Sequence, residues 1–256
     1  MKVVARALII FYFLSGCGTN ESQKLTIATS ANMQYAIHSL VSTFTRETGI
    51  QCEVVVSSSG KLTAQIVAGA PYDVFVSADM KYPENLFNKG LTIAQPEIYA
   101  EGKLVLWSTN DEINPSIEIL TNKQIKHIAL ANPKTAPYGS AAMEVMDYYK
   151  ITESVKPKLV YGESISQTSR FITSGAAQVG FTAKSVVLSP HVNEPGKWIE
   201  IKSNTYKPIA QGVVVLNNRK EYLEQAKKFQ DFLLSSVGKE ILDKFGYNAP
   251  APAQIN

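Results

Sequence analysis

The chain has 256 residues, 45% hydrophobic and 18% charged, with 15 Gly and 12 Pro; that length and composition call for a packed core of one large domain or two small ones and exclude disorder. Lys and Arg number 25 against 22 Asp and Glu, scattered along the chain, which argues against a nucleic-acid partner, and no apolar run approaches the ~20 residues that cross a bilayer. Two cysteines and three histidines leave little for a bare-metal site or a disulfide framework.

Residues 1–16 read as a cleaved leader. Lys2 and Arg6 open it and Ala7 to Leu14 form a short apolar stretch, the layout of a secretory signal. The stretch ends Leu14-Ser15-Gly16-Cys17, which resembles the lipobox of bacterial lipoproteins. Cleavage before Cys17 would leave its thiol to carry diacylglycerol, and two or more acyl chains hold a protein on a membrane where one does not. Losing Lys2 and Arg6 lowers the net charge from +3 to +1. Residues 17–23 then make a short polar tether, and the expected location is extracytoplasmic, the periplasm or the outer face of the plasma membrane. Cys52 is left without a partner and reads as a buried strand thiol.

In the mature chain, Leu25 to Ala28 reads as a strand. Met33, Ala36, Ile37, Leu40, Val41 and Phe44 follow at helical spacing up to the stop at Gly49. Glu53 to Val56 and Asp73 to Val76 are predicted strands around a short helix at Leu62 to Val67, and Lys103 to Trp107 is a further strand. The pattern then restarts: strands at Ile125 to Leu130, Lys158 to Tyr161 and Gln178 to Thr182, helices at Ser140 to Tyr149 and Ile165 to Thr173. Gly212 to Leu216 reads as a strand, and helices at Glu221 to Leu234 and Lys239 to Phe245 close the chain. Such alternation implies parallel strands with helical crossovers. The expected architecture is α/β with two lobes, residues 24–104 plus 206–256 and residues 105–205, each a mostly parallel sheet flanked by helices. A ligand cleft is expected between them.

Dinucleotide, Walker, zinc-protease and nucleophile-elbow motifs are absent from the sequence. His38 falls on the polar side of its helix, His191 in a loop, and His127 reads as the best buried of the three. What recurs is a strand, a small polar cluster and a helix start, at Thr29-Ser30-Ala31-Asn32, Ser57-Ser58-Ser59-Gly60, Tyr138-Gly139-Ser140 and Glu163-Ser164-Ile165-Ser166. Each junction offers unsatisfied N–H groups and roughly half a positive charge, so each can bind an anion. In a parallel lobe they share the edge at the carboxyl ends of the strands. Each is equally an ordinary N-cap worth ~1 kcal/mol. Tyr138 does not serve as a cap, and three consecutive serines exceed what one requires. Arg170, the fifth residue past Ile165, reads as a solvated helix residue. A hydrolase using a serine of the run Ser57 to Ser59 is the competing class, and it requires a base within hydrogen-bond reach.

The run Ser57-Ser58-Ser59-Gly60, with Ala64 to Asp79 (Ala-Gln-Ile-Val-Ala-Gly-Ala-Pro-Tyr-Asp-Val-Phe-Val-Ser-Ala-Asp), resembles the periplasmic molybdate-binding proteins, the substrate-binding components of molybdate ABC transporters. Lys103 to Ser108, Asn132 to Gly139 and Gly238 to Tyr247 resemble later segments of that family, and the likeness covers nearly all of residues 24–248. It implies a two-lobed type II periplasmic binding protein that closes on its ligand about a hinge. It further implies an oxyanion site at Asn32, Ser59, Tyr138 and Ile165, the last through its backbone N–H, with Ala31 adding a backbone donor. Some members have serine at the position of Asn32 and alanine at that of Tyr138; others donate from a tyrosine where this chain has Thr182. Thr182, Ser58 and Ser164 are therefore weaker candidates. The function implied is capture of molybdate, and tungstate with it, for delivery to a permease by a monomer that is not an enzyme and needs no cofactor. The alternative is another oxyanion, such as sulfate or thiosulfate.

Overall fold

The computed structural model describes residues 24–192 and 196–250. The leader, Cys17 and the tether lie outside the described residues. Strands β1 (Leu25–Ser30), β2 (Cys52–Ser57), β3 (Val74–Val76) and β4 (Glu97–Gly102) come first, with helices α1 (Ala36–Thr48), α2 (Ser59–Val67) and α3 (Lys81–Asn88) between them. Next come β5 (Leu104–Ser108), β6 (Ile128–Ala131), α4 (Pro137–Tyr148), α5 (Thr152–Val155), β7 (Leu159–Gly162), α6 (Ile165–Thr173), β8 (Val179–Ala183), α7 (Lys184–Val187) and β9 (Lys197–Glu200). Strand β10 (Ile209–Val215) and helices α8 (Leu223–Leu234) and α9 (Ser236–Lys244) complete the chain.

Two five-stranded sheets result, in the orders β2-β1-β3-β10-β4 and β7-β6-β8-β5-β9. The first sheet therefore takes its strands from 25–102 and 209–215, and the second from 104–200. The chain crosses once at Lys103 and returns between β9 and β10. In each sheet the first three strands in spatial order pair in parallel, and the last two pairings are antiparallel. Each sheet is thus mixed but mostly parallel, as the alternation of elements suggested: four strands run one way, and β10 in the first sheet and β5 in the second run against them. The reversed strands, β5 and β10, are each the first strand after the chain passes between lobes, so no helical crossover dictates their direction.

Alternation along the central strands of the first sheet explains why both faces are covered. Ile27, Val74, Val76, Val213 and Val215 face one cluster with Ile37, Leu40 and Phe44 of α1 and Phe229 and Leu233 of α8. Ala28, Phe75 and Val214, one residue out of phase, face another with Leu62 and Ile66 of α2 and Leu86 of α3. Phe44 meets Phe229 edge to face at 5.2 Å between ring centroids. The second lobe has one large core, built on Leu104 to Trp107 and Ile128 to Ala131 and covered by Ala142, Val145 and Met146 of α4. Gly49, at φ +75°, ends α1 as the sequence predicts.

Helix α4 starts three residues earlier than its periodicity suggests, because Pro137 occupies its first turn, where a missing N–H costs nothing. Tyr138 therefore lies inside the helix. Gly139 follows because α4 begins hard against β6: a Cβ there would stand 2.1 Å from the carbonyl oxygen of Ala131. Replacing Gly139 with Ala is expected to force backbone apart and lower stability by about 1–3 kcal/mol, as overpacking does, measurable as a drop in the urea midpoint.

Candidate functional site

The four strand-to-helix junctions meet at one place. Ser30 ends β1 and Ala31 and Asn32 continue into a short 3-10 turn at Ala31–Met33, Ser58 and Ser59 follow β2, Ala136, Pro137 and Tyr138 follow β6, and Ile165 follows β7. With Ala78, just past β3, they line a small buried cavity between the lobes of only about 10 Å³. That is the space of about one water molecule, so any larger ligand requires the lining to move apart. Among the described residues its lining holds no charged side chain. Ser30, Ala31, Asn32, Ser58, Ser59, Tyr138 and Ile165 are between 1 and 4% exposed.

The hydroxyl hydrogens can be traced. Ser30 Oγ and Ser59 Oγ lie 2.5 Å apart, so one hydrogen is shared between them, and the N–H of Ala78 donates to both oxygens at 3.0 and 3.1 Å. The other hydroxyl hydrogen has no protein acceptor among the described residues and is available to the cavity. The phenol of Tyr138 accepts from Gln211 Nε2 at 2.9 Å, which leaves its own hydrogen to donate. Gln211, in β10, accepts at Oε1 from Asn32 Nδ2 (2.9 Å) and from Tyr99 OH (2.5 Å). Asn32 Nδ2 also donates to Tyr247 OH at 3.0 Å, so both of its hydrogens are used, and Asn32 Oδ1 is buried without a partner. Tyr247 in turn donates to the backbone carbonyl of Asn32 at 3.0 Å, as does Ser185 of the opposite lobe at 2.7 Å. The N–H groups at the start of each helix have no partner within that helix.

Gly102 makes this network possible. A Cβ there would lie 2.1 Å from Tyr138 OH and 2.3 Å from Gln211 Nε2, so the only residue that fits is one without a side chain.

The candidates divide as follows. Ala31, Asn32, Ser58, Ser59, Tyr138 and Ile165 line the cavity together. Ser58 Oγ accepts from Lys61 N at 3.4 Å and caps α2, and Ser164 Oγ does the same for α6 through Gln167 N at 3.4 Å. Ser164 lines an open groove beside the cavity instead. Thr182 is not brought to the cavity: it is buried on β8, its Oγ1 3.1 Å from Ser169 Oγ. Ser30, Ala78 and Gln211 are additions. Ser30 belongs to the first strand-to-helix junction and Ala78 to the stretch Ala64 to Asp79, but Gln211 is a single amide in an apolar strand with nothing local to mark it. Among the described residues no group of three or more His, Cys, Asp or Glu could hold a metal ion. His127 is exposed, contrary to its apolar-looking surroundings, because it precedes β6 at a loop. His38 and His191 line the neighbouring groove with Arg170, so none of the three histidines reaches Ser59's cavity. Cys52 is half-buried at the start of β2, and burial pushes its thiol up to about 11, which keeps it an inert thiol.

Small donors from two mixed sheets, converging on a buried interlobe cavity, define a solute-binding protein. The chain matches the model of the bacterial extracellular solute-binding protein family over residues 25–248 and belongs to that family. It is 38% identical to the molybdate-binding protein ModA of Rhodobacter capsulatus over 86% of each chain, and 26% identical to the putative ABC transporter substrate-binding lipoprotein YvgL of Bacillus subtilis over 97% of this chain and 98% of that one. Its structure is similar to the periplasmic molybdate-binding protein of Azotobacter vinelandii, with a TM-score of 0.84 and 32% identity over 89% of this chain and all of that one.

Burial pushes the phenols of Tyr99, Tyr138 and Tyr247 well above their ordinary value near 10. In the unfolded chain they ionise near 10, so their contribution to stability is whole below that pH and is lost as pH rises toward the folded values. Alkaline titration by ultraviolet difference spectra is expected to show three tyrosines that ionise only together with loss of the folded circular dichroism signal, while the exposed tyrosines ionise first.

Proposed function

We propose that this chain captures molybdate, and tungstate with it, outside the cytoplasm and delivers it to an ABC permease as a lipid-anchored monomer. The observation that carries this is the buried cavity at four helix starts, furnished with hydroxyl and N–H donors and no formal charge. Near neutral pH molybdate is a full dianion that accepts at every oxygen and donates at none. Donors alone therefore satisfy it, while the proton of hydrogen phosphate would be left without an acceptor at a cost of about 1–3 kcal/mol. Sulfate offers the same pattern in a smaller body, and its rejection falls to the spacing of the donors. Ser59 or Ser30 gives one hydroxyl hydrogen, Tyr138 gives its phenol hydrogen, and Ala31, Asn32 and Ile165 give N–H groups from first turns. The named relatives in Rhodobacter and Azotobacter support the choice of ligand.

Asn32 Oδ1 favours a second reading. As oriented, that buried acceptor suits a ligand carrying a proton. Turning the Asn32 amide to present Nδ2 to a dianion would require Gln211 to turn as well, and Gln211 Oε1 would then take the Tyr138 hydrogen, so the amides stay as oriented when Tyr138 donates to the ligand. Binding no cofactor and catalysing no reaction are part of the same reading: a serine nucleophile would need a base, and the histidines lie outside the cavity.

Calorimetric titration of residues 18–256 with molybdate, tungstate, sulfate and phosphate is the test. Tight one-to-one binding of the first two and silence from the others is expected. Heat from sulfate alone moves the substrate, and heat from phosphate alone means that Asn32 Oδ1 accepts the ligand's proton. Ser59→Ala and Tyr138→Phe are each expected to weaken molybdate binding by about 1–3 kcal/mol, roughly 5- to 150-fold.

The anchor has its own test. The lipobox-like Leu14 to Cys17 and the likeness to a relative named a lipoprotein support a lipid on Cys17. In cells that process the leader, the native chain is expected in the membrane fraction and Cys17→Ser in the soluble or secreted fraction.

A further inference from the structure

Beside the small buried cavity a wider groove runs between the lobes. Its main part, about 900 Å³, is lined by Gln34, Tyr35 and His38 of the first lobe and by Ser166, Arg170 and His191 of the second. A continuation of about 400 Å³ shares Gln34, Tyr35, Ser166, Arg170 and His191. Groove and cavity are neighbours in the chain on both sides: Gln34 lies two residues past Asn32, and Ser166 directly follows Ile165. Ser166 Oγ donates to Gln34 Oε1 across the lobes, so one interlobe contact joins the residues next to the cavity's own lining.

Among the described residues, the groove holds an unpaired cation, Arg170, where the cavity has no charged side chain. Arg170 is exposed and makes no ion pair among the described residues. His191 is held in place by stacking on Tyr35, with ring centroids 6.1 Å apart and planes 23° from parallel, and His38 faces the same space. Among the described lining residues the one carboxylate is Glu163, already taken by Lys61. A site built only of dipoles exerts little pull at a distance, because dipolar attraction decays faster than that of a charge. A cleft lined with one sign of charge focuses its field and raises the rate of encounter, within a Debye length of ~8 Å at physiological salt.

We propose that Arg170, with His38 and His191, makes this groove an entrance that gathers a tetrahedral oxyanion dianion and holds it loosely before the lobes close. The inference rests on the oxyanion reading of the cavity. It makes Arg170 a residue that sets the association rate and leaves the closed complex to the neutral donors.

Stopped-flow fluorescence of the mature chain mixed with molybdate, over a range of salt, separates the two roles. Arg170→Gln is expected to lower the association rate at low salt by about three- to tenfold and Arg170→Glu by more, with dissociation unchanged, and the differences should shrink as salt rises. His38→Gln with His191→Gln should give a smaller loss of the same kind. A wild-type association rate matched by Arg170→Glu, or a loss that falls on dissociation instead, overturns the proposal while calorimetry still registers tight molybdate binding. Silence of the wild-type chain toward molybdate, tungstate and sulfate in calorimetry overturns the oxyanion reading first, and the entrance with it.

Discussion

The amide of Gln211 ties the site together. From β10, the strand that brings the chain back to the first lobe, it reaches Asn32 at the end of β1, Tyr99 in β4 and Tyr138 in the opposite lobe, and both of its polar atoms are used. A buried amide bonded this way is expensive to disturb, because each partner set loose costs about 1–3 kcal/mol. Its orientation also propagates: donating to Tyr138 makes that phenol an acceptor at Gln211 and a donor elsewhere. The hydrogen offered to the cavity is therefore decided by a residue that does not line it.

The lobes meet through contacts of unequal kind. Gln211 to Tyr138 and Ser185 to the carbonyl of Asn32 are buried and neutral, and so define a register between lobes. At the edge, Gly60 N donates to the carbonyl of Thr135 at 2.9 Å and Tyr82 OH to that of Lys134 at 3.2 Å. Gly60 has to be glycine for this, since a Cβ would lie 2.8 Å from Tyr82 OH and 3.0 Å from Thr135 Cα. The Lys61–Glu163 pair is exposed on both sides, and exposed pairs contribute about 0–1 kcal/mol. Most of the closing contacts are single neutral hydrogen bonds, a scale that a bound anion's own bonds to both lobes can outweigh, as hinge closure requires.

Part of the site was legible because its chemistry is local. A serine or asparagine after a strand and before a helix is a recognisable sequence, and four such places in an alternating chain had to share sheet edges. Tyr138 stood out because an aromatic does not cap a helix, and the structure places it inside α4, lining the cavity and accepting from Gln211. Other residues gave no local sign. Gln211 lies 73 and 179 residues from two of its partners. Thr182 fell on a plausible strand end yet pairs with Ser169. Arg170 lies on an exposed helix face whose meaning comes only from the His38 and His191 brought to it by another helix and a distant loop.

The sequence by itself determined the elements, the two-lobed α/β plan and the junctions able to take an anion, since helix and strand periods and helix-start chemistry act within a few residues of the chain. The tertiary structure decided which way the hinge strands run, which donors are committed, and that the neutral cavity adjoins a groove holding Arg170. These depend on hydrogen bonds and charges between residues far apart in the chain, and a donor is spent or available only once its neighbours in space are fixed.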